Sequence, residues 1–268
     1  MTTPSAPLTS GTPKASKLAQ WLRTQKPAGP PLAWCHTTSM WDFRSILAAG
    51  YLSLNPCPVF GEDLLYFFYG RPAYRRAANP VTTSARAPMV FVLRPDAVKS
   101  LRRVFPFDSG AFPHRYSLWL AHGMTLDDFA LDPDPISALR HVSAFFATNR
   151  QYWNCEPASL PAAAGAEMEV ETLFRVFQDT RPPEDLDDRR HAVEAQFDWQ
   201  VPVDDKHILA IVLPAQSLDH KEIKDFRSSA GMGIEFVGYE LNRHKSATEY
   251  QALLEGYAKD IQEKRGFL

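Results

Sequence analysis

The amino-acid sequence predicts a globular α+β fold. Apolar residues make up 45% of the chain and charged residues 22%, which is the usual range for globular proteins. Strand-like apolar segments are short, and helical segments lie between them early in the chain and again late. This order, without an internal repeat, favours an α+β fold over a doubly wound parallel sheet.

A single domain is predicted over residues 16–268. Residues 1–15 are small, polar and rich in proline, so we predict that they form a disordered tail. The domain begins with a short amphipathic helix from Ser16, where apolar residues recur at helical spacing. The stretch from about 100 to 180 is less regular, and we interpret it as a variable insert.

The first half of the domain alternates strands with helices. Residues 32–36 form a short apolar run that predicts a strand. The hydroxyls of residues 37–39 suit the N-cap of a helix that ends at Gly50. Residues 64–69 are aromatic and apolar throughout, and residues 88–93 are apolar, so both are predicted to be buried strands.

The second half returns to strands after one helix. That helix is predicted over residues 136–149, where apolar side chains recur on one face. Strands are predicted over residues 193–197, 208–213 and 234–239. A further helix over residues 247–264 carries apolar and aromatic side chains at a spacing of three to four residues.

Net charge and cysteine content limit the partners and the compartment that we expect for the protein. The net charge is −2, so a nucleic-acid or membrane partner would need a local basic patch. The three cysteines fit neither a disulfide framework nor a CxxC pair, which favours a reducing compartment. No apolar run reaches the ~18 residues of a membrane span, and no signal-peptide pattern is present. We therefore expect a cytoplasmic protein without a membrane partner.

Common catalytic motifs are missing from the sequence. It contains no P-loop, no GxGxxG after a strand, no HExxH and no GxSxG. No pair of cysteines or histidines has the spacing of a metal site, so no metal is expected.

Three segments remain that could carry chemistry. His36 stands at the polar end of an apolar strand, where it could bind a ligand hydroxyl or act as a capping or core histidine. In residues 66–75, an aromatic strand ends at Gly70 and is followed by Arg71. Aromatic faces can sandwich a flat ring and arginine can grip a pyrophosphate, although the same pattern suits an aromatic core strand with a solvated arginine.

The third segment contains a single glutamate in a short strand. Glu194 lies among alternating apolar residues within residues 189–197. If it faces the interior, its charge is costly to desolvate without a partner or a cationic ligand. The alternative is an outward-facing glutamate on a solvated face of the sheet.

In this order, the three segments resemble the His-Tyr-Glu branch of the ADP-ribosyltransferase superfamily, and more narrowly the DarT-like enzymes that modify nucleic acid. The resemblance is carried by WCHTTSMWDFRSILAAGYL, by YFFYGRPAYR with SARAPMVFVL, and by RRHAVEAQFDWQVPVDDKHILAIVLP. It covers about residues 32–95 and 189–215 and is weak over 100–180. It implies a split β-sheet core with flanking helices, and NAD⁺ as the substrate.

The resemblance also implies residue roles in NAD⁺ binding. His36, with Thr37 nearby, would hydrogen-bond the adenine-side ribose. Tyr66 or Tyr69 would stack on nicotinamide, and Tyr74 is a further aromatic candidate in the binding site.

Two charged residues would act on the reacting groups. Arg71 would hold the pyrophosphate or an acceptor group. Glu194 would bind the 2′-hydroxyl of the nicotinamide ribose and stabilise the oxocarbenium-like transition state. The chemistry agrees with this role, because cleavage of an N-glycosidic bond builds positive charge that a fixed carboxylate stabilises.

The acceptor is expected to be nucleic acid, DNA or RNA. Basic residues concentrate between Arg71 and Arg103 and, with Trp41 and Tyr74, could form a groove for a single strand, or simply a solvated face. The resemblance implies a mono-ADP-ribosyltransferase with a toxin or antiphage role and an antitoxin or regulatory partner. The alternatives are a protein acceptor and an inactive binding or immunity protein of the same fold.

Overall fold

The structure, a computed structural model, describes most of the chain. Its described residues are 15–73, 81, 83–112, 116, 119–159, 167–179, 188–229, 232–242 and 244–268. Residues 1–14 of the predicted tail, and Tyr74, lie outside this set. Within it, seven α-helices and ten β-strands surround one hydrophobic core, which confirms the α+β class.

Eight of the ten strands form one mixed sheet. The strands are β1 (Trp34–Ser39), β2 (Tyr51–Leu52), β3 (Asn55–Cys57), β4 (Glu62–Tyr69), β5 (Pro88–Leu93), β6 (Arg103–Phe105), β7 (Glu194–Phe197), β8 (Val201–Pro202), β9 (Ile208–Pro214) and β10 (Glu235–Tyr239). The sheet order is β10-β9-β5-β1-β4-β7-β6, and β3 also pairs with β4. Strands β9 and β10 are parallel, and the other pairs are antiparallel. Strands β2 and β8 form a separate short pair.

Seven helices are described, and the predicted capping residues bound the first two. They are α1 (Lys17–Arg23), α2 (Met40–Ala49), α3 (Pro135–Phe146), α4 (Asn149–Trp153), α5 (Met168–Gln178), α6 (Lys221–Arg227) and α7 (Ala247–Lys264). Ser16 and Ser39 each accept a backbone N–H at the starts of α1 and α2. Gly50 ends α2 in the left-handed region with φ 78°.

The centre of the sheet is apolar on both faces. Every residue of β5 and of β9 is buried, which explains why both segments read as continuous apolar runs. Helix α7 packs against these two strands. Its Gln262 also accepts a hydrogen bond from Ala33 N at 2.9 Å and donates to Gly70 O at 2.6 Å, so it joins the segment before β1 to the residue after β4.

Strands β1 and β4 separate after a short paired stretch. They pair only at Trp34 with Tyr69 and at Cys35 with Phe68. Strand β1 continues along β5 over its whole length, whereas β4 continues along β7. The divergence leaves an opening in the sheet beside His36.

Seven elements were not predicted from the sequence, namely β2, β3, β6, β8, α4, α5 and α6. Strand β6 has only three residues, too few for an alternating pattern to be visible. Helix α5 does carry a signal, because Val170, Leu173, Phe174 and Phe177 are buried at helical spacing. The stretch 100–180 therefore contributes to the core, and through β6 it forms one edge of the main sheet.

Candidate functional site

A cleft of about 370 Å³ opens where β1 and β4 diverge. Four of the predicted site residues line it, namely His36, Thr37, Tyr66 and Glu194. They come from three strands, β1, β4 and β7, that are far apart in sequence. The structure thus brings the three sequence segments to a single opening, with the 108–110 turn and the β3 segment on its rim.

His36 occupies the gap between the two strands. Its Nδ1 lies 2.8 Å from Tyr66 O, and its ring packs on Phe67 and Phe91. Burial lowers the pKa of His36, which favours the neutral imidazole. Because a carbonyl oxygen only accepts, we assign the proton to Nδ1, which leaves Nε2 as an acceptor for a ligand hydroxyl.

Glu194 faces the interior of the cleft floor and is only 2% exposed, which excludes the outward-facing alternative. Its Oε1 accepts from Ser109 Oγ and from Gln196 Nε2, both at 2.7 Å. Its Oε2 accepts from Ser109 N at 3.0 Å. Three donors thus occupy three of the carboxylate's roughly four acceptor positions, and a fourth is left for a ligand.

The electrostatics of the cleft oppose the charged form of Glu194. Burial raises the pKa of the Glu194 carboxyl to about 8, and the charge of Asp108 adds to the rise. The hydrogen bonds from Ser109 and Gln196 oppose it. Asp108 is ion-paired to Arg189 at 3.2 Å, and Arg189 also lines the cleft.

Two further polar side chains line the same cleft. The Tyr66 hydroxyl donates to Cys57 Sγ at 2.7 Å, and burial, followed by the charge of Glu194, raises the pKa of Tyr66. Thr37 Oγ1 is buried and has no hydrogen-bond partner among the described residues. A buried hydroxyl without a partner is costly, so a ligand group that bonds Thr37 would relieve that cost.

A second chamber of about 410 Å³ adjoins the first. Both are lined by His36, Thr37 and Asn55, so these three residues stand where the chambers meet. The second chamber is otherwise polar, with Thr38, Asp42, Ser45 and Ser53 among its walls. Its hydroxyls and carboxylate can hydrogen-bond a sugar or the edge of a base.

Tyr69 does not line the cleft. It is 1% exposed, its hydroxyl accepts from Leu32 N at 2.9 Å, and its ring packs edge-on against Trp34. Side chains alternate along a strand, so Tyr66 and Tyr69 of β4 point to opposite faces. The structure therefore leaves Tyr66 as the described tyrosine that can contact a ligand here.

Arg71 does not reach the cleft either. Its guanidinium is buried, donates to Cys155 Sγ at 2.6 Å and lies 3.7 Å from Glu255 of α7. Gly70, at φ 72°, turns the chain after β4 and directs Arg71 towards α7. Arg71 is therefore not brought together with His36, Tyr66 and Glu194, because its side chain is enclosed between Cys155 and α7.

Three arginines of the predicted basic groove, Arg94, Arg102 and Arg103, contact other residues of the protein. Arg94 donates to Asp205 O at 2.8 Å, and Arg102 and Arg103 lie 3.5 and 2.5 Å from Glu62. Trp41 is 63% exposed but lies beside a different groove, between α2 and α6. The arginines in question therefore contact the protein itself, and Tyr74 falls outside the described residues.

Sequence reasoning missed several residues around Glu194. Gln196 could have been found, because it lies two positions along the same strand and therefore on the same face. Arg189 was in the third segment without an assigned role. Ser109 and Cys57 gave no signal, since they come from segments whose path only the folded chain reveals.

No helix in the described part of the chain is long and apolar enough to cross a membrane. Across the same residues, no group of three His, Cys, Asp or Glu side chains is placed to hold a metal ion. Comparison with known protein families, curated proteins and solved structures gives no match to this chain.

Proposed function

We propose that the protein is an NAD⁺-dependent mono-ADP-ribosyltransferase with an ADP-ribosyltransferase-like split sheet. The observation that supports this most is the convergence of His36, Tyr66 and Glu194 on one cleft from three distant segments. The sequence resemblance assigns roles in NAD⁺ chemistry to the same three residues.

In this proposal NAD⁺ spans the two chambers. The adenosine half occupies the polar chamber, where His36 Nε2 accepts a hydrogen bond from a ribose hydroxyl and Thr37 gains a partner. The nicotinamide half lies against Tyr66, and its ribose reaches the remaining acceptor position of Glu194. Arg189, in place of Arg71, is the described arginine positioned to contact a phosphate.

Glu194 supplies the charge that the reaction needs. Positively charged nicotinamide favours the ionised carboxylate, which counteracts the raised pKa of Glu194. The glycosidic bond breaks with its electron pair moving to the nicotinamide nitrogen, and positive charge develops on the ribose. The buried carboxylate stabilises that charge, and the acceptor atom then bonds to the same carbon and releases a proton.

For the acceptor we propose single-stranded nucleic acid. This part rests on the resemblance to DarT-like enzymes. Three of the arginines of the predicted groove, Arg94, Arg102 and Arg103, contact other residues of the protein.

The test is incubation of the purified protein with NAD⁺ and, separately, single-stranded DNA, RNA and a protein mixture. Nicotinamide release is measured by chromatography, and each acceptor is examined by mass spectrometry for added ADP-ribose. We expect release of nicotinamide and modification of a nucleic acid. Modification of protein alone would refute the acceptor, and NAD⁺ binding without any release would indicate an inactive binding protein.

A further inference from the structure

A line of polar side chains leads from the sheet edge to Glu194. Arg103 of β6 pairs with Gln196 of β7 in the sheet register, and opposite residues of an antiparallel pair point to the same face. Arg103 Nη1 donates to Gln196 Oε1 at 3.3 Å, and Gln196 Nε2 donates to Glu194 Oε1 at 2.7 Å. All three side chains are buried.

Arg103 is itself held from two sides. Its Nη2 lies 2.5 Å from Glu62 Oε1, and its guanidinium lies 4.6 Å from the centre of the Phe60 ring. These contacts fix a cation at one end of the line. The guanidinium has no alternative orientation in which it could accept a hydrogen bond, because arginine only donates.

The arginine thereby determines which way the Gln196 amide points. A donor at Arg103 requires the amide oxygen on that side, so the NH₂ group must face Glu194. The same NH₂ group lies 3.3 Å from Ser109 Oγ. The Ser109 hydroxyl can rotate to donate or accept, whereas the amide NH₂ can only donate.

We propose that Gln196, oriented by Arg103, is a positioning residue that presents the Glu194 carboxylate in its ionised form and in a fixed orientation to the substrate. The role rests on the proposed function, since it serves the reaction assigned to Glu194. A donor-only neighbour favours a carboxylate over a carboxylic acid, which opposes burial and the charge of Asp108. Ser109 N acts in the same direction but is a backbone group, and the Ser109 hydroxyl can either donate or accept. Gln196 is therefore the side chain that can only donate to Glu194 and that a substitution can remove.

Several other charged or titratable groups surround Glu194 and must remain unchanged in the test. They are Asp108 and Arg189 on the rim, Tyr66 on β4, His36 on β1 and Arg103 on β6. Substitutions at Gln196 leave all of these side chains in place, which makes Gln196→Leu the most direct variant. It is similar in volume and removes the amide alone.

The first experiment measures the pH profile of nicotinamide release by Gln196→Leu. Loss of a hydrogen bond to a charged group corresponds to ~1–2 pKa units, so the acidic limb should move to higher pH by that amount. Activity at pH 7 should fall ~10–100-fold and largely recover at alkaline pH, with the KM for NAD⁺ little changed. Arg103→Met should shift the limb in the same direction, and Arg103→Lys should restore part of it.

Gln262→Leu is the matched control. Gln262 is as fully buried as Gln196 and also bonds through both amide atoms, but it lies outside the cleft. We expect a lower Tm and an unshifted pH profile. Equal loss of activity at every pH in Gln196→Leu would show a merely structural role and overturn the proposal.

The second experiment does not depend on activity. Carbon-13 NMR of glutamate-labelled protein follows the Glu194 carboxyl, whose signal is assigned by its absence in Glu194→Gln. The pKa of Glu194 should rise in Gln196→Leu and stay unchanged in Gln262→Leu. A shifted pKa in a protein without NAD⁺ activity would leave this inference standing and remove the proposed function; an unshifted pKa would remove the inference whatever the activity.

Discussion

The cleft and the aromatic cluster around His141 both bury titratable side chains, but only the cleft provides these side chains with hydrogen-bond partners. In the cleft, Glu194 receives three hydrogen bonds and the His36 ring bonds Tyr66 O. In the cluster, His141 lies among Phe145, Phe146 and Phe177, with ring centroids 4.9–6.0 Å away. Neither nitrogen of His141 has a hydrogen-bond partner within the described residues.

This difference in hydrogen bonding distinguishes a candidate functional site from a buried histidine that only packs. Burial, followed by the neighbouring His191, lowers the pKa of His141 to about 3, so that ring stays neutral and acts as an aromatic packing group. Glu194 instead accepts hydrogen bonds from three donors, and an apolar residue in its place would leave those donors without a partner. A perturbed pKa therefore indicates function only where it comes with converging polar groups and access from a cleft.

The largest expected effect is on Glu194. Replacement by Gln keeps the shape but removes the charge that stabilises the ribose cation, so nicotinamide release should fall ~10²–10³-fold, as for loss of one electrostatic catalytic group. Far-ultraviolet circular dichroism should show an unchanged fold. Glu171→Gln, on the exposed face of α5, is the matched control and should keep full activity.

The next effect concerns stability at His141. His141→Phe removes two buried nitrogens that lack partners, so the free energy of unfolding should rise by ~1–3 kcal/mol. The gain should grow as the pH falls from about 6.5, because the unfolded wild-type histidine binds a proton there while the folded one does not.

Urea unfolding between pH 5 and pH 8 measures this difference. His220→Phe, at an exposed histidine, controls for the substitution itself. If His141→Phe is destabilised, the imidazole has a polar partner. The aromatic cluster would then resemble the cleft in providing hydrogen bonds to its buried titratable group.

A smaller effect is expected at His36. His36→Ala removes one acceptor for a ligand hydroxyl, so the KM for NAD⁺ should rise ~10-fold while kcat changes less. His141→Phe should leave KM unchanged, which compares the half-buried His36 with the fully buried His141. Steady-state kinetics of both variants decide the matter, and equal KM values in wild type and His36→Ala would argue against NAD⁺ contact.

The smallest effect distinguishes the two tyrosines of β4. Tyr69→Phe loses only the hydrogen bond to Leu32 N, so unfolding should become easier by ~1 kcal/mol with unchanged kinetics. Tyr66→Leu removes a ring from the cleft and should raise the KM for NAD⁺ without a comparable loss of stability. If Tyr69→Phe raised the KM and Tyr66→Leu lowered only the stability, the ligand-binding face of β4 would be the one that carries Tyr69.

The elements that sequence predicts well are those with local causes. Ser39 and Gly50 bound α2 because capping depends on one residue and its neighbours, and residues 88–93 form β5 with the same limits. Alternation also separates Glu194 and Gln196 from the apolar face of β7. The same alternation places Tyr66 and Tyr69 on opposite faces of β4, although it does not show which of these faces borders a cleft.

The remaining site residues depend on contacts that sequence does not display. Ser109 reaches Glu194 across 85 positions, and Arg71 is turned away by Gly70 and enclosed by α7. A basic segment similarly predicts charge but not its partner, as Glu62 shows by pairing with Arg103. Long-range pairing of this kind is decided by the whole fold.

Gln262 has a consequence for how the protein is made. Its side chain donates a hydrogen bond to Gly70 O, 192 residues earlier in the chain. During synthesis this bond can form only long after the strands that carry His36 and Tyr66 have left the ribosome. We expect those strands to reach their final spacing only once α7 has emerged. Under the proposed function, an unfinished nascent chain would leave the dinucleotide pool of the producing cell untouched.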